Sequence, residues 1–344
     1  MASLTDFTTF VQALNTLQNA GPIFDMIQGL SDGVHEGAPV LAFLNANAKT
    51  PKDGGDEIKF DIINQRKPAQ SYYKGSTINR QTVDFVGAAI LETAYYVNDV
   101  NYYKTDLLRN KGKDKFMDYV AKQIDLAKEG MTETLMFDIY GTDTLDVNGD
   151  AKGIRPIVGL ELAVETNPAG AGNTYAGVLR TATSYYWNNQ AASITNLASL
   201  STDKMKGMMQ ACAHMGKVVD LIVMSDPAYR QVWNIAKSER WLNESAAAAE
   251  LGFPESIKFG SAAIIPDKYL TGVADGGIID TSAKRIWFLN TKDGLEWRVD
   301  ASDDMNMGEV FRPTGTQIAF SQEVTFSGQL VIKNPRMSGV LYWS

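Results

Sequence analysis

The chain has 344 residues, of which 44% are hydrophobic and 21% are charged, and its formal net charge is −8. This composition is typical of a folded globular protein and excludes a largely disordered one. The acidic balance disfavours DNA binding through the whole surface. Cys212 is the only cysteine, which excludes an intramolecular disulfide and favours a reducing compartment. Because neither a secretory signal nor an apolar run of roughly 18–20 residues is present, we expect a soluble intracellular product.

The first fifty residues are predicted to form an arm that carries one short helix. Five apolar residues recur there at helical spacing: Phe7, Phe10, Val11, Leu14 and Leu17. Glycine and proline then recur between residues 21 and 39, which argues against a compact domain in this region.

A polar hairpin is predicted after the arm. Ile58, Phe60 and Ile62 alternate with charged residues, which is the pattern of a half-buried strand. The segment 83–97 supplies the return strand. The mostly polar residues 63–82 between them form a loop longer than a compact domain usually contains. Because an isolated hairpin is only marginally stable in water, this loop is either disordered or supported by another molecule.

The clearest periodicity in the sequence predicts one long helix. Seven apolar residues fall on one helical face: Phe116, Val120, Ile124, Ala127, Met131, Leu135 and Ile139. Asp114 is placed to cap the helix, and Gly141 follows its end. About 25 residues at 1.5 Å each would make a helix about 38 Å long, enough to span a small domain.

The second half of the chain is predicted to contain an α/β region followed by strands. One helix is predicted from Met205, Met208, Met209, Cys212 and Met215. Residues 217–224 are predicted to be a buried strand, and Ser225–Asp226–Pro227 begins the next helix. Further strands are predicted at 286–289, 295–299, 318–320, 324–326, 330–332 and 340–343.

The sequence offers no convergent set of catalytic or metal-binding residues. His35 and His214 are the only histidines, and neither has ligand spacing to other residues. The segment 146–150 resembles the start of a calcium loop, but Ala151 stands where that loop needs glycine. Cys212 is expected to be a core residue without reactivity. We therefore expect no enzymatic activity and no cofactor.

One stretch is rich in aromatic residues without an obvious chemical role. Tyr185, Tyr186 and Trp187 follow Gly177 and Arg180. Such rigid aromatic surface serves sugar binding, base stacking, a protein core or a protein–protein contact. The residues alone leave these alternatives open.

The order of these parts resembles that of the major capsid protein of tailed bacteriophages, whose fold is named after phage Hong Kong ninety-seven. Local sequence adds to the resemblance. Residues 153–160 are similar to a Gly-Ile-x-Gly-Leu segment that follows the long helix in this family. Residues 175–187 resemble a Tyr-Gly-Gly-Ile-x-Arg-x-Thr…Trp-Trp-Arg stretch, in which Ala176 replaces the first glycine and the last two positions become Asn188 and Asn189. The resemblance covers roughly residues 50–344.

The resemblance implies an α+β fold with the parts of a phage capsid subunit. These parts are an N-terminal arm (1–50), an extended hairpin or E-loop (51–97), a spine helix with part of the P-domain (98–150), a region that is mainly A-domain (151–285) and a closing sheet of both domains (286–344).

The resemblance also implies a function. The protein is expected to be a non-enzymatic coat protein that forms hexamers and pentamers of an icosahedral virion shell, assembled in the host cytoplasm. Expected partners are other copies of the chain, a separate scaffolding protein, a portal and double-stranded DNA on the inner face, with no membrane. The alternatives are an encapsulin-type compartment, which has the same fold, and a carbohydrate-binding or hydrolytic β-rich protein.

The residues expected to support assembly lie in two places. The hairpin contributes basic and aromatic residues, namely Arg66, Lys67, Tyr72, Tyr73, Lys74 and Arg80. The framework contributes Gly177, Arg180, Tyr186 and Trp187, because aromatic residues and arginine suit buried contacts.

Overall fold

The computed structural model describes residues 38–52, 54–63, 69, 71–75, 77, 86–103, 113–141, 156–170, 172–180, 187–239, 257–270, 284–311 and 319–343. Several predictions of the sequence analysis lie outside these residues. They are the arm helix between Phe7 and Leu17, the calcium-like segment 146–150, and the side chains of Arg66, Lys67, Arg80, Tyr185 and Tyr186.

The described residues form helices and strands in a mixed order. The helices are α1 (Pro39–Asn47), α2 (Lys113–Tyr140), α3 (Leu160–Ala163), α4 (Thr202–Cys212) and α5 (Asp226–Glu239). The first strands are β1 (Lys49–Pro51), β2 (Glu57–Ile63), β3 (Val86–Glu92), β4 (Ala94–Tyr103), β5 (Thr174–Tyr175), β6 (Val178–Leu179) and β7 (Gln190–Ser193). The later strands are β8 (Leu221–Met224), β9 (Lys258–Phe259), β10 (Ala262–Pro266), β11 (Arg285–Leu289), β12 (Leu295–Met307), β13 (Ala319–Ile332) and β14 (Gly339–Tyr342).

The hairpin strands β2 and β3 pair antiparallel, from Glu57 opposite Glu92 to Ile63 opposite Val86. Ile58, Phe60 and Ile62 are buried, whereas the intervening charged side chains are exposed. The predicted alternation is confirmed. Strand β3 continues through Thr93 directly into β4, which belongs to a different sheet.

Helix α2 is the long predicted helix. Its 28 residues correspond to about 42 Å, and the predicted apolar stripe from Val120 to Ile139 is buried. The first half of the helix packs on β4 and β13. At its end Gly159 approaches so closely that a Cβ atom there would lie 2.1 Å from the Gly141 carbonyl oxygen. Only glycine fits at this crossing, which fixes the start of α3 against the end of α2.

The first sheet has the strand order β1–β12–β13–β4. Three strands were predicted between residues 318 and 332, but the structure has the single 14-residue strand β13 there. The glutamines that separate the apolar runs are themselves buried and hydrogen-bonded. Gln322 donates to the Gly308 carbonyl at 2.9 Å, and Gln329 donates to the Glu92 carbonyl at 2.8 Å. These glutamines therefore continue the strand and do not interrupt it.

The second sheet has the strand order β7–β14–β11–β8–β10–β9, with β8 and β10 parallel. Helices α4 and α5 pack on it. The strand predicted at 217–224 begins only at Leu221, because His214 and Lys217 exchange backbone hydrogen bonds in a turn. That turn also removes Met215 from the predicted helix and exposes it. Cys212 is buried, and burial raises the pKa of its thiol to about 12, which confirms it as a core residue.

One apolar core runs through the base of the hairpin, α1, the end of α2 and parts of both sheets. Helix α1 was not predicted, because its residues are apolar on most faces and show no helical period. Among the described helices, none is both long and apolar enough to cross a membrane.

Candidate assembly surface

The tip of the hairpin exposes two neighbouring aromatic side chains. Tyr72 and Tyr73 are 78% and 83% exposed, and Lys74 beside them is also exposed. Gly75 has a φ angle of +94°, a left-handed conformation that glycine adopts without strain. Residues 63–82 include four Lys and Arg residues and no Asp or Glu. Because tyrosine and arginine are enriched in protein interfaces, the tip has the composition of a contact surface.

The base of the hairpin is fixed to the body at the turn between β5 and β6. The Ile90 amide of β3 donates to the Ala176 carbonyl at 3.0 Å. The ring of Phe60 in β2 lies 6.1 Å from that of Trp187. Both hairpin strands therefore contact the aromatic stretch that was singled out from the sequence.

Trp187 is a core residue. It is only 4% exposed, and its indole N–H donates to the Tyr175 carbonyl at 3.3 Å. The Tyr175 hydroxyl in turn accepts from the Ile332 amide of β13 at 2.8 Å. A buried indole cannot serve as an open platform for sugars or bases, so this part of the carbohydrate alternative is wrong.

Arg180 is fully buried and joins the backbone of α3 to the side chain of Asn189. Its guanidinium donates to the carbonyls of Leu162 and Ala163 at 2.9 and 2.8 Å, and to the Asn189 side chain at 2.7 Å. The guanidinium also lies over the Tyr175 ring, 5.5 Å from its centroid, in a cation–π contact. Burial lowers the pKa of Arg180 from its usual value, yet arginine stays charged in proteins. The network therefore anchors a cation under the hairpin base.

The neighbouring carboxyl of Glu165 also has a shifted pKa. Burial raises the pKa of Glu165, and the charge of Arg180 and a hydrogen bond from Asn173 partly lower it again. Asn189 closes the network by donating to the Glu165 carbonyl at 2.8 Å. Asn189, which differs from the resembled motif, is thus the buried hydrogen-bond partner of Arg180, which matches the motif.

Gly177 lies at an exposed position in the turn between β5 and β6. The turn residues Ala176 and Gly177 have φ angles of +53° and +74°, as two-residue hairpin turns require. An alanine in this conformation costs about 1–2 kcal/mol. The turn still places the Ala176 carbonyl against β3, so the strained alanine sits where hairpin and body meet.

The structure thus divides the predicted assembly residues into two groups. Arg180 and Trp187 both contact the Tyr175 ring in one anchor beneath the hairpin, Gly177 lies in the exposed turn between β5 and β6, and Tyr72, Tyr73 and Lys74 lie at the hairpin tip. Arg66, Lys67, Arg80 and Tyr186 are outside the described residues. The roles of all these residues in assembly stay predictions.

A buried carboxylate that the sequence does not reveal joins α2 to the second sheet. Asp267 is fully buried. It accepts hydrogen bonds from the Tyr140 hydroxyl at 2.6 Å and from the Tyr269 amide at 2.9 Å. The Tyr140 ring stacks on Trp287 of β11, with centroids 5.7 Å apart. No local pattern reveals such a residue, because an aspartate after a strand usually indicates a solvated turn.

Burial raises the pKa of Asp267 from 3.8 to about 6, against the lowering effect of its hydrogen bonds. The folded state therefore prefers the protonated carboxyl. Below about pH 4 the folded and unfolded states both bind this proton, and above about pH 6 neither does. The stability contributed by the group is fully present below the unfolded pKa and is lost as the pH rises through 6. This loss is on the order of 2–3 kcal/mol.

We expect the variant Asp267→Asn to remove this pH dependence, because the amide keeps an acceptor and carries no charge. Urea unfolding between pH 4 and pH 7 should show that the free energy of unfolding of the variant rises relative to that of wild type as the pH rises. The control Asp61→Asn removes an exposed carboxylate of β2. Parallel pH profiles for wild type and Asp267→Asn would contradict the prediction.

The fold of this chain is found in solved phage capsids. The cyanophage A-1(L) capsid subunit matches with a TM-score of 0.61 and 14% identity, over 88% of this chain and 92% of that chain. The capsid of a native GTA particle matches with a TM-score of 0.58 and 9% identity, over 88% and 89%. Mycobacterium phage Ogopogo matches with a TM-score of 0.55 and 11% identity, over 89% and 92%.

No family model and no curated protein sequence matches the chain. At these low identities the likeness to solved structures establishes the fold. The predicted α+β capsid fold is therefore confirmed, and the chain has the fold of phage capsid subunits.

Proposed function

We propose that the protein is the major capsid protein of a tailed bacteriophage. It self-assembles into the hexamers and pentamers of an icosahedral shell that encloses double-stranded DNA. The observation that carries this proposal is the shared architecture over 88% of the chain with a cyanophage capsid subunit. A long helix, two sheets and a hairpin with the exposed aromatic side chains Tyr72 and Tyr73 support it.

The parts of the subunit follow from this proposal. Helix α2 and the sheet β1–β12–β13–β4 form the P-domain, and the second sheet with α4 and α5 forms the A-domain. The proposed E-loop lies within residues 51–97 and is built on β2 and β3, and the proposed arm 1–50 ends in α1 and β1, which pack on the body of the same subunit. Residues 286–344 contribute strands to both sheets, which supports their assignment as a closing segment of both domains.

The mechanism is repeated weak contact between copies. The A-domains surround the local symmetry axis, the hairpin lies over a neighbouring subunit, and the arm reaches a further one. Interlocking extensions bury a large area without a large core, and many such contacts add up through multivalency. The net charge of −8 fits a wall that does not hold DNA tightly. A separate scaffolding protein and a portal complete the set of partners, and no enzymatic step is required.

The proposal is tested by expressing the chain together with its scaffolding protein in a bacterial host. We expect megadalton closed shells in negative-stain micrographs and in sedimentation velocity. A compact monomer under these conditions would overturn the proposal. Shells that contain a protein cargo and lack a portal would identify an encapsulin-type compartment.

A further inference from the structure

Two carboxylates face each other across the first sheet. Asp99 of β4 is directly opposite Glu323 of β13, and opposed side chains in such a ladder share one face with Cβ atoms about 5 Å apart. Asp99 is exposed and Glu323 is partly exposed. Within the described part of the chain, no ion pair reaches either carboxylate. Like charges in direct opposition destabilise a sheet, so the pair is unfavourable in the isolated subunit.

The pair lies on the sheet face turned away from α2. Val100 and Tyr102 point to the helix and are buried, whereas the alternate residues of β4 are exposed. Tyr95 and Val97 on that exposed side are 51% and 61% exposed. We call the set Tyr95, Val97, Asp99, Tyr103, Asp303 and Glu323 the acidic face. Asp303 borders it because its carboxylate accepts from the hydroxyl of Thr325, the residue opposite Val97.

Two lysines of the described residues border the acidic face without pairing with Asp99 or Glu323. Lys49 pairs with Asp304 at 2.5 Å, and Lys52 lies over the Tyr95 ring, 5.8 Å from its centroid. The acidic face therefore keeps negative charge beside exposed aromatic and apolar side chains. Such a surface is complementary to a cationic segment that also carries aromatic residues.

The chain itself contains such a segment. Residues 63–82 carry four positive charges and no negative ones, so the remaining residues together carry −12. The described part of this tip exposes Tyr72, Tyr73 and Lys74. No ion pair joins Lys74 to Asp99 or Glu323 within the described part of the subunit. The charge complementarity between residues 63–82 and the acidic face favours this segment of a second copy as the occupant.

We propose that the acidic face of one copy receives the basic hairpin tip of another, with Asp99 and Glu323 as its electrostatic centre. The tip neutralises the opposed carboxylates, and Tyr72 and Tyr73 cover Tyr95 and Val97. This inference rests on the proposed function and names the receiving surface for the hairpin. In this arrangement the opposed carboxylates repel each other in the isolated subunit and are neutralised in the assembled state.

Charge reversal separates this contact from a purely structural role. The variant Asp99→Lys/Glu323→Lys and the variant Lys67→Glu/Lys74→Glu should each reduce shell yield at least about tenfold, because like charges then meet at the contact. A chain that carries all four substitutions restores the attraction with the signs exchanged. Its shell yield should return to within about twofold of wild type. Yield is measured by sedimentation of the coexpressed chain and scaffolding protein.

Two further variants control for folding and for net charge. Asp99→Asn/Glu323→Gln should unfold no earlier than wild type as an isolated subunit and still assemble less well, since the repulsion and the attraction are both removed. Asp203→Lys/Glu129→Lys makes the same change in net charge at exposed positions elsewhere and should leave the yield unchanged.

The inference is overturned if the neutral variant assembles like wild type, or if the four-substitution chain assembles no better than the two double variants. Either result leaves the proposed function intact, because wild-type shells still form. Failure of the wild-type chain to form shells would overturn the proposed function and this inference with it.

Discussion

Replacement of residues 64–85 by an Asn-Gly turn is expected to give a folded subunit that no longer forms shells. Ile63 and Val86 are directly opposed at the point of deletion, and Asn-Gly is the preferred two-residue connection between antiparallel strands. The buried residues Ile58, Phe60 and Ile62 stay in place, as does the bond from the Ile90 amide to Ala176. Thermal unfolding of the subunit should therefore change by no more than a few degrees.

In the proposed shell, assembly should respond very differently, because every subunit would lose its overlap with a neighbour. We expect the yield of particles in sedimentation velocity to fall about 100-fold or more, since the loss is repeated at each contact. A matched control replaces the same residues by a Gly-Ser segment of equal length, which keeps the loop but removes its charges and aromatic rings. Normal shells from the Asn-Gly variant would show that the hairpin tip has no part in assembly.

The second large effect is expected for Arg180→Ala. Truncation removes the buried cation and leaves the carbonyls of Leu162 and Ala163 and the Asn189 side chain without their donor. Breaking one partner of a buried charged network costs about 3–5 kcal/mol. We expect urea unfolding to show this loss in the free energy of unfolding. Shell yield should fall with it, because the anchor also fixes the hairpin base.

Two variants set the scale for this result. Arg180→Lys keeps the charge but not the planar fork that reaches three acceptors, so it should lie between wild type and Arg180→Ala. Arg230→Ala removes an exposed arginine from α5 and should change stability by less than about 0.5 kcal/mol. An Arg180→Ala chain as stable as Arg230→Ala would refute the role assigned to the anchor.

The parts of the fold that could be predicted are those in which apolar residues recur at a regular helical or strand spacing. Helix α2 has one apolar stripe along its length, and β2 alternates between buried and charged residues, so local pattern and burial agree. The pattern fails where polar residues are buried. Gln322 and Gln329 interrupt the apolar runs of the sequence, but their side chains bond to backbone far away in the chain, and β13 continues through them.

The candidate assembly surface was predictable only in part. The exposed tip follows from the long polar loop, because such a loop cannot be supported by the chain alone. The anchor depends on contacts that no spacing encodes. Arg180 finds its acceptors at Leu162, Ala163 and Asn189 only after α3 and β7 are in place. The opposition of Asp99 and Glu323 depends likewise on the register of two strands more than two hundred residues apart in the chain.

The hydrogen bond between Tyr140 and Asp267 fixes one end of the long helix α2 to the second sheet. At neutral pH the buried Asp267 carboxylate at this end of α2 is charged and destabilises the folded subunit. A motion that admitted water to the carboxylate would remove this desolvation cost. A tilt of 10° about that end would sweep the opposite end of a helix of this length through about 7 Å. A small loosening at a single carboxylate is thus geometrically amplified into a displacement of the size of a side chain at the far edge of the subunit.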